Sequence, residues 1–268
     1  MSSPLLPLSS LAIITGASEG IGRDLAELYA ADGHDVVLVA RREAALRELA
    51  ESLERRFGRR AIVVVADLAS RAGCDAVIDA CTGRERDVIA LVNNAGVGSV
   101  GWFHELPWER EQVQIDVNIT ALTYLTYRVL PWLRANGRGH VMQLASVAAF
   151  QPGPLMAVYY ASKAFVVSFS EALHNECAGT GVTVTAVCPG PTITGFQREA
   201  GIRQGSGSGG APPMSSRHVA QLAYAAATRG ERVAFSGFRN RVAATLGRYL
   251  PRAWSAAVVR RIQLRRMT

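Results

Sequence analysis

The stretch TGASEGIG, residues 15–22, decides the reading of this chain. It follows the apolar run LAIIT (11–15) and opens a segment, 20–32, with helical spacing of apolar residues. Glycine removes side chains where a turn is tight or a ligand must approach the backbone. The first turn of a helix then offers unpaired N–H groups to an anion. Gly16, Gly20 and Gly22 stand in a G-x-x-x-G-x-G spacing. Three glycines alone signify little, because turns need glycine anyway. Between a strand and a helix they point to the pyrophosphate of a dinucleotide.

The same alternation continues outward. Strand-like runs fall at 11–15, 35–40, 61–66, 88–93, 139–145, 182–188 and 232–236, with helical segments at 20–32, 43–57, 70–81, 107–135 and 157–178. The strands are continuously apolar more than alternating, as suits strands covered on both faces. Strand–helix alternation implies right-handed βαβ units. The predicted class is α/β: one domain, a doubly wound seven-stranded parallel sheet with helices on both faces. At 268 residues, 49% hydrophobic and 19% charged, the chain is large and apolar enough for that core. The predicted division is a tail over 1–10, the sheet domain over 11–236 and a basic amphipathic extension over 237–268. The stretch GIRQGSGSGGAPP (201–213) suits a plain linker and equally a mobile substrate loop over 201–214.

Several classes are excluded. No apolar run is long enough to span a bilayer, and MSSPLLPLSS lacks the basic start of a signal peptide. Cys74, Cys81, Cys177 and Cys188 show neither CxxC pairing nor zinc spacing. No metal is expected, and reduced thiols in a cytoplasmic protein are; a single disulfide stays open. The net charge of +7 is uneven: from Arg229 onward, ten arginines face one acid, Glu231, so residues 1–228 sum to −2. Basicity confined to a tail argues against a nucleic-acid partner. From Arg248 to Thr268, arginines mix with Leu250, Trp254, Val258, Ile262 and Leu264. This fits a helix packed on a partner subunit, and also a helix lying peripherally on an anionic membrane.

The second strand narrows the choice of dinucleotide. An NAD site usually carries an acid about 20 residues after the glycine loop, on the ribose 2′-OH. Here the strand ends Val39-Ala40-Arg41-Arg42. A guanidinium fork matches a 2′-phosphate in charge and shape, so NADP(H) is preferred over NAD(H). Arg41 is the first candidate and Arg42 the second. Glu19 is a counter-signal, since a carboxylate repels phosphates unless it points away.

Lysine occurs once, as Lys163 in VYYASKAF (158–165), whereas the other 28 basic residues are arginine. Tyr159 lies four residues before it and Tyr160 three, so helical spacing does not choose between them. Taken together, TGASEGIG, NNAG (93–96), Asn118 in DVNIT, Ser146 in QLASV, YYASK (159–163) and PGPTIT (189–194) resemble the short-chain dehydrogenase/reductase family in order and spacing. The resemblance spans roughly residues 10 to 200. It implies a Rossmann fold with strand order 3-2-1-4-5-6-7 and a homodimer or homotetramer. It implies a catalytic set of Asn118, Ser146, Tyr159 and Lys163, the pattern Y-x-x-x-K selecting Tyr159. It also implies cofactor contacts from Gly16, Ser18, Gly20, Ile21, Gly22, Arg41, Arg42, Asp67, Leu68, Asn94, Ala95, Gly96, Tyr159, Lys163, Pro189, Gly190, Thr192 and Thr194. For Asp67, a helix N-cap near Ser70 is the local alternative.

The chemistry so implied is hydride transfer between NADP(H) and a ketone or secondary alcohol. The cofactor carries the hydride, and the protein supplies the proton. A phenol with a pKa near 10 is a poor base at neutral pH, and a close ammonium lowers that value. Arginine would bring charge but does not surrender a proton. Ser146 would donate to the substrate oxygen, and Asn118 would anchor the water of a proton relay. The apolar, turn-rich VAAFQPGPLMAV (147–158) and Phe196 suggest a small hydrophobic carbonyl or alcohol, contacted by Ser146, Ala148, Phe150, Tyr159 and Phe196. Other readings are a non-catalytic NADP(H)-binding redox sensor or scaffold, a membrane-associated reductase of lipid, acyl or steroid-type ketones, and an epimerase or dehydratase on the same platform.

Overall fold

The structure, a computed structural model, describes residues 10–201 and 213–267. The tail predicted over 1–10, save Ser10, and the loop predicted over 201–214, save its ends, lie outside the described residues. Seven strands form one parallel sheet: β1 (Leu11–Thr15), β2 (Asp35–Ala40), β3 (Ala61–Val65), β4 (Val88–Asn93), β5 (Gly139–Leu144), β6 (Val182–Cys188) and β7 (Val233–Phe235). Their order is β3-β2-β1-β4-β5-β6-β7, as the resemblance implies. Thr192–Ile193 and Met214–Ser215 pair as a separate short ribbon that the sequence pattern does not announce.

The continuous apolar runs have a direct cause. Side chains alternate across a strand, and here both faces are covered. Leu11, Ile13, Val37 and Val39 enter one core, while Ala12, Ile14, Val36 and Leu38 enter the other. The helices are α1 (Gly20–Ala31), α2 (Glu43–Phe57), α3 (Arg71–Asp79), α4 (Trp108–Ile115), α5 (Leu122–Asn136), α6 (Ala157–Glu176), α7 (Phe196–Glu199), α8 (Ser216–Thr228), α9 (Phe238–Tyr249) and α10 (Arg252–Met267). Leu25 and Tyr29 of α1, Leu46, Leu49 and Leu53 of α2 and the alanines of α8 fill the second core. Val77 of α3 and Leu125, Val129 and Leu133 of α5 fill the first. Each fully buried leucine contributes about 2 kcal/mol of transfer free energy.

The structure differs from the sequence pattern in three places. The helix predicted over 107–135 is interrupted: α4 passes through a π-helical turn, Asp116–Ala121, into α5. That turn takes in an extra residue, and the buried Asn118 lies inside it. The helix α8 adds a layer beside α1 that the pattern leaves out. The extension predicted over 237–268 packs on its own chain. The helix α9 packs against the 3-10 turn Val147–Phe150, with Ala244 buried. On α10, Ser255, Val259 and Gln263 are buried within this same chain. All four cysteines are buried and free, so no disulfide forms. No helix among the described residues is long and apolar enough to cross a membrane.

One buried polar contact joins the layers away from the loops that follow the strands. His140, at the start of β5, has Nε2 2.5 Å from Tyr29 Oη. Tyr224 of α8 meets the Tyr29 ring edge-on at 4.8 Å. Burial, helped by nearby His34, pushes His140 down to about 4. The unfolded chain takes up this proton near pH 6.5, but the folded chain holds it off until about pH 4. Stability should therefore be full above pH 6.5 and fall between 6.5 and 4, by about 3 kcal/mol in total. Urea unfolding of the wild type and His140→Asn at the two ends of this window checks it. The variant should lose this part of the acid slope.

Candidate active site

The carboxyl ends of the parallel strands open onto one cavity of about 740 Å³. Each strand delivers residues to it through the loop that follows. Gly16, Ser18, Gly20 and Ile21 come after β1, Arg41 and Arg42 after β2, and Asp67 and Leu68 after β3. Asn94, Ala95 and Gly96 follow β4, Ser146 and Ala148 follow β5, and Pro189, Gly190, Thr192 and Thr194 follow β6. The helix α6 contributes Tyr159 and Lys163. The structure thus brings together nearly every residue singled out in the sequence.

The loop after β1 fits phosphate groups. Gly16 and Gly20 have φ of 66° and 58°, a region costly for other residues. No side chain caps the first turn of α1, which leaves its N–H groups to the cavity side. Gly22 does not face the cavity. It is packed beneath the loop, where an added Cβ would lie 2.3 Å from the Gly16 carbonyl oxygen. Asn94 braces the loop by donating to the carbonyls of Thr15 (2.9 Å) and Gly16 (3.2 Å).

Glu19 lines the same cavity, with its charge held by arginines. Its carboxylate pairs with Arg42 at 3.0 Å and Arg198 at 3.6 Å. It lies so close to Gly195 that an added Cβ would meet Oε1 at 2.0 Å. Arg42 also donates to Ser18 Oγ at 3.0 Å, and Arg41 lies 3.7 Å from Glu199. Two guanidinium groups and a hydroxyl therefore gather at one end of the cavity. Asp67 is not a helix cap: its Oδ1 accepts from Ala69 N–H, and Ser70 caps α3 through Gly73 N–H, both at 3.0 Å.

At the other end, Lys163 is buried and donates to the Leu144 carbonyl at 2.7 Å. Its Nζ is 5.8 Å from the Tyr159 ring centroid. Burial pulls the ammonium down to about 8. Asn118 is fully buried; its Oδ1 accepts from Val97 N–H (3.0 Å), and its Nδ2 donates to the Val97 carbonyl (2.9 Å) and Ser162 Oγ (3.1 Å). Gly96 keeps this corner open, since an added Cβ would lie 3.3 Å from both Asn118 Oδ1 and Lys163 Nζ. Ser146 has two parts: it lines the cavity, and its Oγ accepts from Ala148 N–H at 3.1 Å, capping the 3-10 turn.

The two tyrosines separate. The Tyr159 ring stands 5.2 Å from that of Phe196, and Phe196 packs over Gly98. The Tyr160 ring lies flat against Gly153, and its hydroxyl accepts from Gln263 Nε2 at 3.1 Å. Phe150, expected at the substrate, does not line the cavity. The 3-10 turn carries it, half-buried, against the core cluster around Val166 and Cys188, 5.5 Å from the ring of Phe235. Gln151 and Met156, from the segment 147–158 expected at the substrate, line the wall, and Val259, Ile262 and Gln263 of α10 line it without having been foreseen. Asn240 of α9 braces the loop after β6: its amide abuts Gly190 and donates to the Ser236 carbonyl. Among the described residues no cluster of His, Cys, Asp or Glu could hold a metal ion.

Comparison with known proteins agrees with this arrangement. A sequence family described as short chain dehydrogenase matches residues 10–204. Sulfoacetaldehyde reductase 2 of Chromohalobacter salexigens is 37% identical over 227 residues, covering 82% of this chain and 89% of that protein. Among solved structures, a 7β-hydroxysteroid dehydrogenase studied for its stereoselectivity matches with a TM-score of 0.83 at 26% identity, covering 93% of this chain and 96% of the other. A short-chain dehydrogenase from Sphingobium yanoikuyae in complex with NADPH matches with a TM-score of 0.78 at 32% identity, covering 95% and 94%. The chain belongs to the short-chain dehydrogenase/reductase family.

Proposed function

We propose that this protein transfers hydride between NADP(H) and a hydrophobic ketone or secondary alcohol. The observation that carries the reading is the convergence of Ser146, Tyr159 and Lys163 at one end of a cavity, with Asn118 buried behind Gly96 next to Lys163. The phosphate cradle formed by Gly16, Gly20 and the open turn of α1 lies in the same cavity. Gly16, Ser18, Gly20 and Ile21 would hold the pyrophosphate, Asp67 and Leu68 the adenine, and Asn94 to Gly96 with Pro189 to Thr194 the nicotinamide half. Arg41 and Arg42, with Ser18, would hold a 2′-phosphate.

When bound, the nicotinamide would supply or accept the hydride and, in its oxidised form, would bring a positive charge to the site. Tyr159 gives its proton to the substrate oxygen in reduction and removes one in oxidation. Lys163 makes that exchange feasible. Its Nζ lies 5.8 Å from the centre of the Tyr159 ring, and a positive charge on that side favours the tyrosinate. With its own value at about 8, the ammonium is charged at neutral pH yet close to releasing a proton. An arginine would supply only the charge. Ser146 holds the substrate oxygen. Asn118, fixed in its π turn, orders the inner end of the relay.

Two variants test this. Tyr159→Phe should lower kcat for NADPH-dependent ketone reduction about a thousandfold. Lys163→Arg should keep the fold and lose most activity. If no ketone is turned over and Tyr159→Phe matches the wild type, a redox sensor is the better reading. For the cofactor, thermal-shift titration should show tighter binding of NADPH than NADH. Arg41→Ala and Arg42→Ala should each narrow the difference about tenfold; tighter NADH binding by the wild type would overturn the assignment. The substrate end is walled by Met156, Phe196, Val259 and Ile262. This favours an apolar substrate, unlike the small anion named for the sulfoacetaldehyde reductase. Best turnover on such an anion would exclude the apolar reading.

We also propose a homo-oligomer. Tyr127 of α5 and Phe165 of α6 are exposed, as are Trp254 and Val258 on the outer face of α10. Sedimentation velocity should give a dimer or tetramer. In co-sedimentation with neutral and anionic vesicles, binding to anionic vesicles alone, lost in Trp254→Ser, would instead assign the α10 face to a membrane.

A further inference from the structure

The helix α10 contributes more than packing. Its inner face carries Val259, Ile262 and Gln263 into the cavity. Gln263 is 1% exposed. Around it, Met156 and Ala200 form an apolar cluster with Tyr159, Tyr160 and Phe196. Burying an amide costs free energy unless its hydrogen bonds are made, whereas a leucine would fill the same volume without that cost. Gln263 and Tyr160 both line the cavity, so a hydrogen-bonded polar pair stands on that wall.

We propose that Gln263, with the Tyr160 hydroxyl it bonds at 3.1 Å, is a specificity-determining pair that reads a neutral oxygen at the substrate end remote from the reacting carbon. The inference rests on the ketone-reductase reading and narrows it: the substrate is a bulky, mostly apolar ketone or alcohol bearing a distal hydroxyl or carbonyl. Tyr159 lies beside Phe196 and Lys163, while the Tyr160 hydroxyl is held by α10. The two rings meet edge-on with centroids 6.1 Å apart, so the cavity has a second polar point besides the reacting one. An amide both donates and accepts, and a phenol does the same, so either kind of neutral oxygen is served. Among the α10 arginines whose side chains are described, Arg252, Arg260, Arg261 and Arg265 are exposed, and Arg260 stacks on Trp102 at 5.3 Å. A carboxylate end group would find no partner among them.

The test compares para-hydroxybenzylacetone with benzylacetone, and a ketosteroid bearing a distal hydroxyl with its deoxy counterpart. The readout is the ratio of kcat/KM within each pair. The wild type should prefer the hydroxylated member of at least one pair about tenfold. Gln263→Leu should collapse that ratio towards one, mainly through KM. Tyr160→Phe keeps the ring on Gly153 and should reduce the ratio too. A wild-type ratio near one in both pairs overturns the inference while leaving the reductase reading intact. Equal losses for both members of a pair in Gln263→Leu overturn it as well, since the side chain would then only brace the wall. Absence of turnover with any ketone overturns the reductase reading, and this inference with it.

Discussion

A buried ammonium is the constraint around which the rest is arranged. Lys163 can be buried because the sheet gives it an acceptor, the Leu144 carbonyl at the end of β5. That carbonyl is available because the chain leaves the strand there and turns at Ser146 into a short 3-10 segment. Gly96 leaves the space on the opposite side, and Asn118 closes it from a widened helical turn. A charge in such a place is costly unless its donors are satisfied. Here the cost shows as a pKa pulled down to about 8. The same burial that penalises the charge makes the proton movable.

The opposite end of the cavity handles charge differently. Glu19 stands in a loop suited to phosphates, yet Arg42 and Arg198 hold it and Gly195 makes room for it. Arg41 is in turn near Glu199. The anion-binding end is therefore joined by ion pairs to α7, the short helix that begins with Phe196. These pairs are exposed and weak singly, but both link the phosphate end to the segment carrying an aromatic residue of the substrate wall.

The sequence and the structure agree where local chemistry leaves few choices. A glycine loop between an apolar strand and a helix, and apolar runs with no polar face, lead to a doubly covered parallel sheet. Residues such as Asn94, Ser146 and Lys163 are legible because they sit at strand ends or in a fixed motif. Other features leave no trace of this kind. The π turn is invisible because Val117, Ala121 and Leu122 are buried and keep the apolar pattern running through it. Phe150 reads as a wall residue by hydrophobicity, but the backbone turn sends it against the core. Spacing places Tyr159 and Tyr160 alike near Lys163, and only packing against Gly153 and α10 separates them. The tail shows the same limit. Its periodicity announces a helix but not the surface that will receive it, and the answer is this chain's own cavity.

That placement divides the labour along the chain. The glycine loop and the Tyr159–Lys163 pair come from the stretch between β1 and the loop after β6, whereas one wall of the cavity comes from a helix more than fifty residues later. Variation in α10 can reshape what the chamber admits without disturbing the buried ammonium or the phosphate loop.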